Sequence, residues 1–167
     1  QIISDDLALT WAGTVSDAQL MTRLARAELK LKEVRTGKKP SVKEAANLLG
    51  GMQYSSIRRP SMLMAIAHFL LGGRDSYGVH LYDLFPDGSV TKVKDYVSSG
   101  SGSVFAYGVL ETQYDANMSA EQGVQQVVGA GDGAEHALDV GGRRAVAGRG
   151  LQAISFFPSL APGASFS

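Results

Sequence analysis

From Ser98 the chain alternates serine and glycine, SSGSGS, and then begins an apolar, aromatic run, VFAYGVLE, at helical spacing with no spacer between them. Such a segment has few ways to fold. One is a cradle of backbone N–H groups that converge on an anion where a helix begins. The other is a tight strand-to-helix turn that lets the backbone approach another group closely. Neither G-x-x-x-x-G-K-[ST] nor G-x-G-x-x-G is present, and no lysine or arginine follows within the next turn to meet a phosphate. The tight turn is the stronger reading, and what it approaches must come from the rest of the chain.

The remaining composition limits the class of protein. With 167 residues, 44% hydrophobic and 19% charged, the chain can bury the core of one globular domain. Its 16 basic and 16 acidic residues cancel, which disfavours nucleic acid or an anionic membrane as partner. The absence of cysteine excludes disulfides, thiol nucleophiles and cysteine zinc sites, and fits a cytoplasmic location. No apolar run approaches the ~20 residues that span a bilayer; the longest is MLMAIAHFLL. The opening, QIISDDLALTWAG, has a strand under way and no initiator methionine, so a preceding segment is expected.

Periodicity orders the chain as a strand, two helices, several strands and two helices. LALTWAG reads as a strand ending in a small-residue turn at Ala12 and Gly13. A helix follows from Ser16 to about Arg35, with Leu20, Leu24, Ala27, Leu31 and Val34 gathered on one face by steps of four and three. Asp17 suits its positive end and Gly37 marks its stop. Pro40 and Ser41 open a second helix, where Ser41 and Glu44 have capping-box spacing and Ala45, Leu48, Leu49 and Met52 form the buried face. Gly50 and Gly51 predict close packing or a break inside it. SMLMAIAHFLLGG reads as a buried strand. YGVHLYDLFPDGSVTKVKDYVSSG reads as a hairpin about Pro86, Asp87 and Gly88. The helix of the quoted run follows, and Ser119 with Gln122 marks a further helix start. Helices layered on a mainly antiparallel sheet system are the expected class. Beyond Val128 the chain is crowded with Gly, Ala, Arg and Pro, and its one strand-like run is LQAISFF.

Chemistry is sparse at this level. The three histidines, at 68, 80 and 136, are too scattered to predict a metal site. His68, inside an apolar strand with no carboxylate or nucleophile beside it in sequence, reads as a core or interface residue. Asp5, Asp6 and Asp17 suit turns and caps.

Two segments carry a resemblance. AGTVSDAQLMTRLARAELKL, Ala12 to Leu31, and SSGSGSVFAYGVLETQYDANMSAEQGV, Ser98 to Val124, are similar to the corresponding segments of proteasome β subunits, closest to the archaeal type. The likeness covers roughly residues 1–128 and leaves 129–167 as an atypical tail that replaces or distorts the closing strands. It implies an α+β fold, the four-layer αββα sandwich of the N-terminal nucleophile hydrolases, here incomplete: the first strands are missing and the C-terminal ones doubtful. In that family a threonine at the mature N-terminus is the nucleophile, tuned by a lysine and an aspartate. The resemblance begins after those three, and Gln1 is not a threonine, so the start is expected to be a fragment boundary and the chain alone to be inactive.

Four residues can be carried over. Gly13 matches the glycine whose backbone N–H faces the developing oxyanion. Ser101 matches the serine near the nucleophile's amine, and Trp11 and Val15 match positions lining the substrate pocket. In the tail, Leu138 falls where the family's supporting aspartate belongs and Gly141 where its serine belongs, with Asp139 one place off. The implied parent is a threonine endopeptidase in heptameric rings, with other β subunits and α-subunit rings as partners, unfolded polypeptide as substrate, and no cofactor, metal, nucleic acid or membrane. A noncatalytic structural ring subunit is the alternative.

Overall fold

The computed structural model describes residues 1–61, 66–100, 103–115, 117–119, 122, 123, 125, 136–140, 143–147 and 152–156. Five strands form an antiparallel sheet in chain order: β1 (Ile2–Ser4), β2 (Leu7–Gly13), β3 (Ala67–Asp75), β4 (Gly78–Leu84) and β5 (Val90–Val93). Helices α1 (Val15–Thr36) and α2 (Val42–Ile57) cover one face. A second sheet pairs β6 (Tyr96–Gly100) with β9 (Gln152–Phe156) and packs against β2 and β3, while α3 (Ser103–Gln113) packs on its strands. The layers are therefore helix, sheet, sheet, helix. A hairpin of β7 (His136–Val140) and β8 (Arg143–Ala147) lies alongside β9. The tail thus holds three strands where one strand-like run is expected, and β9 pairs antiparallel with β6 along its length.

The middle strands are apolar at both parities because both faces are covered. Phe69 and Leu71 of β3 join Leu7 and Leu9 of β2 and Leu84 of β4 in the core under the helices. Leu70 and Leu81 turn the other way and meet Val97 of β6 between the sheets. Burying such side chains stabilises the fold by roughly 1.5–3 kcal/mol each.

α1 corrects one expectation. Leu20, Leu24, Ala27, Leu31 and Val34 do share a face, but that face is exposed, Val34 at 71%. The buried stripe is Ala18, Met21, Thr22, Ala25 and Leu29. Fully buried Ala18 and Ala25 let the helix axis sit close to the sheet, which a leucine at either position would prevent. The helix is apolar on two sides, and periodicity alone does not say which one turns inward. Gly37 ends it in the left-handed conformation, its N–H donating to the Glu33 carbonyl at 2.8 Å.

α2 begins with the expected capping box: Glu44 N–H donates to Ser41 Oγ at 3.2 Å and Ser41 N–H to Glu44 Oε2 at 2.8 Å. Gly50 and Gly51 do not break it. Gly50 instead faces the β4–β5 turn, where a Cβ on Gly50 would stand 2.5 Å from Val90 Cγ2 and one on Gly88 2.6 Å from Tyr54 Cβ. The same reciprocal cap joins Ser119 and Gln122, N–H to side chain at 2.8 and 3.2 Å; most of the helix it opens lies outside the described residues.

Candidate functional site

β2 runs antiparallel to β3 with Ala12 opposite His68 and Gly13 opposite Ala67. At this end the chain must leave the sheet for α1, and Thr14 N–H donates to the Ile66 carbonyl at 2.9 Å. Gly13 makes the exit possible: its φ is +121°, and a Cβ there would lie 2.4 Å from the Ile66 oxygen. Gly13 is exposed, Val15 opens α1 at 53% exposure, and half-buried Trp11 packs against the core under the helices. The structure brings these three together around one turn. Ser101, Leu138's side chain, Asp139's side chain and Gly141 lie outside the described features. The strand leading to Ser101 is defined, and it ends at Gly100 with φ +102°.

The aromatic run after the serine-glycine turn anchors that strand. The Tyr107 hydroxyl of α3 accepts from Ser98 N–H at 3.1 Å and donates to the Ser98 carbonyl at 3.3 Å. The Tyr96 ring lies 6.1 Å from that of Tyr107 and 5.0 Å from that of Tyr114. Burial is the main cause that pushes the Tyr114 phenol above its ordinary pKa.

Between the sheets the structure assembles a group that sequence reasoning missed. His68 Nε2 contacts Asp83 Oδ1 of β4, and His68 Nδ1 lies 2.5 Å from Ser99 Oγ of β6. The Phe85 ring stacks on the imidazole at 4.6 Å and 25°. Asp83 and Ser99 are buried, at 8% and 5% exposure. His68 has both the carboxylate and the hydroxyl that its sequence neighbours lack. The available signal was two polar residues, in HFLLGG and LYDLF, at inward positions of otherwise apolar adjacent strands.

A cleft of about 1130 Å³ lies elsewhere, at the opposite end of β2, where its walls include Asp6, Arg26, Lys39 and Arg74. Its charges are largely paired: Lys39 Nζ sits 2.6 Å from Asp6 Oδ2, and that hydrogen bond holds the Lys39 ammonium above its ordinary pKa. Size alone does not make it the site, because the turn chemistry is at the other end of the sheet. Among the described residues no group of three or more histidine, aspartate or glutamate side chains could hold a metal ion.

The family model for proteasome subunits matches residues 1–141. The chain belongs to the proteasome family. Its relatives are of the β type: it is 41% identical over 124 residues to the proteasome subunit beta of Methanocaldococcus vulcanius, covering 74% of this chain and 54% of that one. The Archaeoglobus fulgidus proteasome subunit beta is 37% identical over 126 residues, covering 75% and 57%. That of Methanopyrus kandleri is 38% identical over 128 residues, covering 75% and 59%. The chain spans a little over half the length of the proteasome subunits it matches. The four layers are those expected of a proteasome β subunit, with β2 and β6 packed against each other from opposite sheets.

Proposed function

We propose that this chain is part of an archaeal-type proteasome β subunit that acts as a threonine endopeptidase on unfolded polypeptides. The observation that carries this reading is Gly13. It is exposed and held at positive φ where the first sheet ends, in a chain whose relatives are proteasome subunits of the β type. In this reading its N–H stabilises charge that develops only in the transition state, while Trp11 and Val15 border the pocket for the substrate side chain and Ser101 supports the nucleophile's amine. In this reading the nucleophile, with its aspartate and lysine, is not among these 167 residues, which by themselves are expected to give no turnover. The subunit assembles with other β subunits and with α-subunit rings in the cytoplasm. No helix among the described residues is long and apolar enough to cross a membrane. The exposed apolar stripe of α1 favours ring assembly whether or not the subunit is catalytic, and keeps a structural ring subunit as the second reading.

The test is hydrolysis of a fluorogenic peptide by the full-length chain assembled into its particle. The unaltered particle is expected to turn over, and Gly13→Ala to lower kcat by about 10²-fold or more with assembly retained, since the added Cβ displaces the donor. Turnover of Gly13→Ala within about threefold of the parent would remove Gly13 from the mechanism. An inactive parent particle would leave the structural reading.

A further inference from the structure

His68 stands across the ladder from Ala12, the residue before Gly13, and its side chain leaves β3 on the face turned to the second sheet. An ionised carboxylate only accepts hydrogen bonds, so the contact with Asp83 puts the imidazole proton on Nε2. In the neutral imidazole Nδ1 is then an acceptor, and the Ser99 hydroxyl donates to it. The result is a directed chain, Ser99 to His68 to Asp83, that joins β6 to β3 and β4. The contact around it is apolar, through Leu70, Leu81, Val93 and Val97. Apolar contact is non-directional and tolerates sliding of one sheet on the other, whereas a hydrogen-bonded chain fixes distance and offset. Stacking on Phe85 fixes the plane of the ring as well.

We propose that Asp83, His68 and Ser99 are positioning residues for Gly13: their hydrogen-bonded chain ties the Gly13 end of the first sheet to β6 and so fixes where the Gly13 N–H points. The inference rests on the catalytic reading above. The order carboxylate, imidazole, hydroxyl is also that of a hydrolase's general-base unit. Ser99, at 5% exposure and facing the opposing sheet, is placed as a strut and not as a second nucleophile.

The test uses the full-length chain in its assembled particle and compares Ser99→Ala, His68→Leu and His68→Gln on a fluorogenic peptide. The glutamine amide can donate to Asp83 and accept from Ser99, so it rebuilds the chain without an imidazole. Ser99→Ala and His68→Leu are expected to lower kcat about tenfold or more while KM stays within about twofold, and His68→Gln to restore kcat to within about threefold of the parent. A purely packing role would not separate glutamine from leucine in this way. The proposal fails if Ser99→Ala keeps the parent kcat, which holds even should His68→Leu not fold, or if glutamine and leucine are equally impaired. A parent particle without turnover sinks the catalytic reading itself, and an active parent with indifferent variants sinks only this inference.

Discussion

Glu44 shows how a single exposed side chain acts in this fold. The Lys32 ammonium, 2.6 Å away, is the first cause that holds its carboxyl below the usual carboxylate range, and the Ser41 backbone N–H is the second. A depressed carboxyl contributes stability that is present above its unfolded pKa and is lost as pH falls through the folded value. Because the pair is half-exposed and screened, the cap itself is the better measure of its worth, about 1 kcal/mol. Glu44→Ala is therefore expected to lower Tm by a few degrees at pH 7, and the gap to the parent to narrow as pH drops below about 4.3. Thermal melts across that range check this; a gap that persists unchanged at pH 3 contradicts it. Single residues differ in how far sequence discloses them. The Ser41 cap is a local rule and was legible, as was Gly13 at the A-G turn. His68, Asp83 and Ser99 were not, because positions 31 residues apart meet only after three connections and a strand register have been set.

At the scale of elements, α2 offers a matched pair of glycines. A Cβ on Gly50 meets Val90 Cγ2 at 2.5 Å and the Gly88 carbonyl oxygen at 3.1 Å, whereas one on Gly51 meets nothing within 4 Å. Gly51→Ala is expected to stabilise by about 0.5–1 kcal/mol through helix propensity alone. Gly50→Ala is expected to destabilise by about 1–3 kcal/mol, since the contact overrides the same propensity gain. Denaturant midpoints decide it, and equal shifts in the two variants would mean that α2 does not press on the hairpin. The GG pair announced a special helix without saying which glycine mattered, because only the partner turn distinguishes them. α1 carried the same ambiguity: its leucine stripe was plain, but the inward face is the one with the smaller residues. The hairpin turn about Pro86 and Gly88 was legible, with Gly88 at φ +91° and Asp87 Oδ1 accepting from Ser89 N–H at 2.8 Å, but the single second arm expected divides into β5 and β6, which belong to different sheets.

For the whole molecule, the outer face of α1 is an apolar stripe left exposed by the fold. Leu20 and Leu24 are each 49% exposed, Leu31 41% and Val34 71%, in the alternating steps of four and three with which one helix packs along another. Burial of that stripe against a neighbouring proteasome subunit is expected. Leu24→Ser with Leu31→Ser should leave Tm of the isolated chain within about 2 °C, since neither side chain belongs to its core, yet shift the full-length subunit from particle to free forms on size exclusion. A large drop in Tm would instead place these residues inside the fold. The four layers were legible from the resemblance, and of the strands beyond Val128 only β9, in LQAISFF, was; β7 and β8 were hidden by a glycine- and arginine-rich composition. The seam between Gly50 and Gly88 has one more consequence. Neither position can gain a side chain while the other element stays in place, so helix and hairpin turn are inherited as one locus. A graft or recombination junction between residues 50 and 88 succeeds only when the parent that supplies position 50 and the parent that supplies position 88 each carry glycine there.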